Sequence, residues 1–140
     1  MRPSYNAKDA LLTKKTSLPS ATGTIYSEAL DLGGIGEHGV RIDPYELLLT
    51  SPAATAAQLP ASASNTYTLQ FSDDNTFASG VVEWSAGTAW QQAGSASGAT
   101  EAEFRFRPAT DAPQYVRVKC VTAGAGAAQT GLSFEFALVS

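Results

Sequence analysis

A single cysteine, Cys120, leaves the chain without an intrachain disulfide and without a cysteine-based zinc site. A single histidine, His38, sits in a glycine-rich stretch with no motif that would place a nucleophile beside it, so a Ser-His-Asp triad has little to be built from. The longest run of large aliphatics is Leu47-Leu48-Leu49, far short of a membrane span. The start, Met-Arg-Pro-Ser-Tyr-Asn-Ala-Lys-Asp, has no apolar stretch of the signal-peptide kind, so the expectation is a soluble protein made in the cytoplasm. Charged residues are scarce too, at 16% of the 140 residues against a typical quarter. Gly, Ala, Ser and Thr fill the difference and suit tight turns.

What is present is alternation. Leu132, Phe134, Phe136 and Leu138 alternate with Ser133, Glu135 and Ala137. Period two places the large apolar side chains on one face of a strand and the small or polar ones on the other. The pattern recurs at Tyr67, Leu69 and Phe71, at Ala102, Phe104 and Phe106, and at Val116, Val118 and Cys120. Cys120 is in phase with the two valines and is expected to be a buried, inert thiol. From Thr24 onward the pattern and its turn residues predict eight strands, over 24–32, 39–49, 66–72, 80–85, 88–92, 101–107, 114–121 and 131–139. Pro44 interrupts the second, which implies a bulge or an edge. Ser51-Pro52 opens one or two helical turns to Gln58. The fold class is all-β, an eight-stranded antiparallel jelly-roll sandwich over 23–140 preceded by an extended N-terminal arm over 1–22. An immunoglobulin-like sandwich is the other candidate, but its Cys–Trp–Cys signature is missing.

The net charge of −4 is unevenly spread. The arm carries Arg2, Lys8, Lys14 and Lys15 against Asp9, a net +3, while the remaining residues carry five cations against twelve carboxylates, a net −7. A basic arm on an acidic body suggests a partner for the arm, with Arg2, Tyr5, Lys8, Lys14 and Lys15 as its contact residues. Four cations over 22 residues make neither a dense patch nor a stacking platform for nucleic acid.

The chemical motifs have plainer explanations. Gly34-Ile-Gly36-Glu-His-Gly39 spells a dinucleotide fingerprint, but Val40-Arg-Ile-Asp-Pro44 follows where a helix is required. Asp73-Asp74-Asn75-Thr76 lacks the alternating ligand spacing of a calcium loop and reads as a turn. Glu83, Glu101, Glu103 and Glu135 could furnish a carboxylate pair, yet all four fall at outward strand positions. Trp90, in Thr-Ala-Trp-Gln-Gln, is an aromatic beside a polar loop and a possible surface contact. No catalytic residue, cofactor or metal site is expected.

Three stretches carry a resemblance: Thr24-Ile-Tyr-Ser-Glu-Ala-Leu-Asp-Leu-Gly-Gly34, Tyr67-Thr-Leu-Gln-Phe-Ser-Asp-Asp-Asn-Thr-Phe77, and Phe104-Arg-Phe-Arg-Pro108 followed by Gln114-Tyr-Val-Arg-Val-Lys-Cys120. With the closing strand they resemble the small jelly-roll cement, or decoration, proteins of short-tailed phage capsids over most of 23–140. The resemblance implies a non-enzymatic virion protein on the capsid exterior, made in the host cytoplasm. It implies the major capsid protein as partner and self-association; the open edges of a sandwich favour a dimer. No nucleic acid and no membrane is expected as a partner. The competing reading is a carbohydrate-binding, lectin-like attachment domain, for which Trp90, Gln91 and Gln92 supply the cluster.

Overall fold

The computed structural model describes residues 8–32, 46–85, 87–108 and 113–139, with the side chains of 8–12, 87, 88 and 139 excepted. Two antiparallel sheets face each other. Where eight strands are predicted, the described residues form ten: β1 (Lys8–Ser17), β2 (Gly23–Tyr26), β3 (Leu30–Asp31), β4 (Glu46–Ser51), β5 (Ser64–Ser72), β6 (Val82–Trp84), β7 (Gln91–Ala93), β8 (Ala102–Phe106), β9 (Tyr115–Ala123) and β10 (Ser133–Val139). One sheet has the order β1-β10-β4-β8. The other has the order β2-β9-β5-β6, with β3 also on β9 and β7 also on β5. The all-β sandwich class holds, and the extra strands have identifiable causes.

The first cause lies in the segment expected as an arm. Lys8–Ser17 is a ten-residue strand paired with β10 at Lys8 and again from Thr13 to Ser17, with an irregularity between, and with Lys14 opposite Phe136 and Lys15 opposite Glu135. Its side chains from Thr13 to Ser17 are polar on both faces, so no period shows, and backbone pairing does not need one. The chain then enters the core at Leu18, which is buried and donates its N–H to Leu132 O at 2.9 Å. The second cause is Ser27, which divides the predicted strand 24–32 into β2 and β3. Its hydroxyl accepts from Val118 N at 2.8 Å, the place a ladder carbonyl would take, while its own N–H goes to Val118 O.

The core forms as the alternation requires. Tyr67 and Leu69 of β5, Val116, Val118 and Cys120 of β9, Leu47 and Leu49 of β4, and Phe134 and Phe136 of β10 are all inaccessible to solvent. Tyr67 spans the sheets, its ring edge-on to Phe134 at 5.4 Å and tilted against Phe104 at 5.9 Å. Burying one such ring stabilises the fold by about 3 kcal/mol at the upper end of side-chain transfer values. The predicted helical turns after Ser51 reduce to one turn. Ser51 closes β4 with its side chain buried, and Thr55 caps the turn instead: Thr55 Oγ1 accepts from Gln58 N while Gln58 Oε1 accepts from Thr55 N. The fifth predicted strand divides into a 3-10 turn, Gly87–Trp90, and β7. No helix among the described residues is long and apolar enough to cross a membrane.

Candidate interaction surface

The interior holds a polar cluster, and its bonding decides whether it is a site. Asn65, Gln92, Thr122 and Gln129 lie on inner faces or under the loops at one end of the sandwich, each 7% exposed or less. Asn65 Nδ2 donates to Gln129 Oε1 at 2.7 Å and to Gln92 Oε1 at 3.2 Å. Its Oδ1 accepts from Thr122 Oγ1 at 2.6 Å and Gln129 Nε2 at 3.1 Å. Gln92 Nε2 reaches Pro52 O and Thr100 O, and Gln129 Nε2 reaches Pro19 O, so the amides tie three loops to the sheets. Ser51 Oγ donates to Gln92 Oε1 and lies 2.6 Å from the Tyr67 hydroxyl. Among the described residues no buried side-chain nitrogen or oxygen lacks a partner. A network in which every buried polar side-chain atom already has a partner is built to lock loop geometry rather than to bind a substrate. Beside it, burial pushes the Cys120 thiol up to about 12 and the Tyr67 hydroxyl well above its ordinary value, so neither is a nucleophile at neutral pH.

Both outer faces are built by register. On the four-stranded sheet, Lys15, Glu135, Thr50 and Glu103 stand in one row across β1, β10, β4 and β8. With Pro52, Glu101 and Ser133 they line a shallow depression of about 330 Å³. Glu101 and Glu103 are exposed, as their outward positions predict, and Glu135 is half-buried. Elsewhere on this face Arg105 and Arg107 pair with Glu46 at 3.3 and 3.8 Å. Pairs this exposed contribute little to stability.

The outer face of the six-stranded sheet is more ordered. Arg117, Gln70 and Glu83 are register partners across β9, β5 and β6. Arg117 Nε donates to Gln70 Oε1 at 2.8 Å, and Gln70 Nε2 donates to Glu83 Oε2 at 2.8 Å. That amide, with Lys119 Nζ 3.6 Å away, holds the Glu83 carboxyl below the usual carboxylate range. The guanidinium carbon of Arg117 lies 4.3 Å from the Tyr26 ring centroid and 4.3 Å from that of Phe77. Phe77 is 7% exposed and Tyr26 46% exposed. Phe77 takes φ 57°, a left-handed conformation that costs a side chain of this size about 1–3 kcal/mol. The turn before it fixes that conformation. Asp74 Oδ1 accepts from Thr76 N and Thr76 Oγ1, Oδ2 accepts from Ala78 N, and Phe77 N donates to Asp74 O. These donors hold the Asp74 carboxyl below the ordinary range, so Asp73–Thr76 is a turn with its carboxylate already occupied.

The residues singled out in the sequence are scattered. Arg2, Tyr5, His38, the glycine motif at 34–39 and Pro44 lie outside the described residues. Lys8 is placed in β1 by its backbone alone. Lys14 pairs with Glu28 at 3.5 Å, and Lys15 lines the depression. Trp90, the possible surface contact, is only 6% exposed, packed on Trp84 at 5.1 Å and Phe104 at 5.3 Å. The glutamines that follow it lent it a polar context, but Gln92 turns inward to the amide network. Tyr26, Phe77 and Arg117 were not singled out, because 91 residues separate the first from the last and only strand register unites them. Among the described residues no three His, Cys, Asp or Glu side chains could hold a metal ion.

No protein-family model and no curated protein matches the chain. Among solved structures, a xylan-binding module, CBM15, is similar to it at 12% identity and a TM-score of 0.38, over 96% of this chain and 95% of that one.

Proposed function

We propose that the chain is a non-catalytic capsid decoration protein that binds the outside of a capsid shell through the major capsid protein, resides on the virion exterior, and associates with its own copies. The resemblance of the three strand-and-turn stretches supports this reading. The observation that carries it is β1: a ten-residue strand bearing Lys14 and Lys15, whose single strand neighbour among the described residues is β10. Among the described residues no strand pairs with its other edge, and a sheet edge is where β-augmentation takes place. A decoration protein works by area and mass action, binding the assembled shell and not its dissociated parts. It needs edges and faces, not a nucleophile.

The position of β1 also fixes the test. Removing residues 1–22 takes away a sheet strand and the buried Leu18, so it confounds folding with attachment. Removing residues 1–7, with Arg2 and Tyr5, leaves β1 intact. The truncated protein is expected to keep its melting temperature and to occupy stripped shells of the virus that encodes it less fully. Undiminished occupancy would count against a role for those residues. Wild-type protein that fails to bind the shells at all would sink the capsid reading itself.

One observation favours a second reading, carbohydrate binding: Tyr26 is an exposed ring on an open sheet face beside Gln70, Glu83 and Lys119. Binding on a glycan array, abolished by Tyr26→Ala, would establish it. Trp90 is too buried to serve there.

A further inference from the structure

We propose that Arg117, clamped between Tyr26 and Phe77, is a preformed receptor for a carboxylate side chain of a protein partner. This deepens the reading of the chain as a module that docks on another protein, and its test is chosen to fail separately. A guanidinium has five N–H donors. In Arg117 the Nε–H is used by Gln70, and the Nη groups make no hydrogen bond or ion pair with any described residue. Two aromatic rings pack against the guanidinium, each with its centroid 4.3 Å from the guanidinium carbon, and they restrict where the side chain can go. What remains is its edge, and two parallel N–H groups in one plane match the two oxygens of a carboxylate.

The surroundings select among acceptors. Lys119 is engaged with Glu83, so the local positive charge is essentially that of Arg117 alone, which suits a monoanion better than a phosphate dianion. A sugar would have only the outer face of Tyr26 to stack on, since Phe77 is buried and the guanidinium covers the other face of Tyr26. Such stacking would leave the Arg117 edge unused. The face also carries an exposed apolar ring: Tyr26, 46% exposed, stands beside Lys119 and against the guanidinium. Tyr and Arg set among apolar neighbours are the residue types that dominate binding energy at protein interfaces. The left-handed backbone at Phe77 is then strain retained to seat one half of the clamp.

The test reads Arg117 directly in the full-length wild-type protein. Its side-chain nitrogen NMR signals are followed as acetyl-Gly-Glu-Gly-amide is added, with acetyl-Gly-Gln-Gly-amide and xylohexaose as parallel titrants. The expected result is a shift of the Arg117 signals with the Glu peptide alone, those of Arg105 and Arg107 staying put. In parallel, R117K, which keeps the charge but loses the fork and the stacking, is expected to bind stripped shells at least about tenfold more weakly. An absent shift, an equal shift with the Gln peptide, a shift with xylohexaose, or shells that hold R117K as tightly as wild type would each overturn the proposal. A Glu-selective shift in a protein that ignores the shells would support the receptor and defeat the capsid reading.

Discussion

Asn65→Ala is the substitution that bears most directly on what holds the loop end of the sandwich. Asn65 is inaccessible to solvent and takes part in four hydrogen bonds, two donated and two accepted. Its partners differ in what they keep when it goes. Gln92 Oε1 still accepts from Ser51, and Gln129 Nε2 still reaches Pro19 O and Thr122 Oγ1. Gln129 Oε1 loses its donor and the Thr122 hydroxyl loses its acceptor. Two orphaned buried groups cost about 1–3 kcal/mol each, so the range is about 2–6 kcal/mol. Water entering the space left by the amide recovers part of this, which sets the expected loss near 3 kcal/mol. Against a total stability of about 5–15 kcal/mol that is a large fraction. It corresponds to a fall of roughly 10 °C in melting temperature for a chain of this length. Urea unfolding followed by tryptophan fluorescence, with the slope unchanged and the midpoint lowered, measures it. A loss under about 0.5 kcal/mol, the size expected of an ordinary surface substitution, would mean that the amides are already hydrated and that the network argument is wrong.

Two further perturbations probe the same framework. Gly124 lies at φ +93° where β9 leaves the sheet, and an added Cβ would collide with the carbonyl oxygen of Ser62, a backbone atom with no rotamer to yield. Gly124→Ala is expected to destabilise by about 2 kcal/mol or more, from the φ penalty and the clash together, and an unchanged urea midpoint would refute it. Cys120 and Tyr67 govern the alkaline side. Their pKa values are raised on folding by burial, so the unfolded chain loses these protons first. Their contribution is fully present below about pH 9 and is lost as pH rises from there toward about 12. The urea midpoint should fall over that window and fall less in Cys120→Ala, and native Cys120 should resist a thiol reagent at pH 8. A flat midpoint with rapid modification would contradict the burial.

How much of this the residues announce depends on whether side chains or backbone do the holding. Strands β5, β9 and β10 are half-buried, so selection by water writes period two into them, and the predicted spans differ from the observed ones by two residues at most. Strand β1 is held by pairing to β10 and writes nothing. Ser27 breaks a strand because a hydroxyl can stand in for a ladder carbonyl, an event that one serine in a strand pattern does not signal. Trp90 misleads for the reverse reason. Asn65, Gln92 and Gln129 are polar by type, yet they are buried because they satisfy one another, and that mutual satisfaction spans 64 residues.

The same non-local logic separates the candidate surface from the rest of the exterior. The depression on the four-stranded sheet gathers Lys15, Glu101, Glu103 and Glu135 by register, but its glutamates 101 and 103 are solvated side chains of the kind that any outward strand position carries. At Arg117 the sheet instead spends stability. It keeps a phenylalanine at positive φ, leaves Tyr26 nearly half exposed, and holds a guanidinium against two rings with its terminal donors unmatched among the described residues. Three departures converging on one side chain are explained together by a partner that supplies the missing acceptor, whereas no single packing requirement accounts for all three.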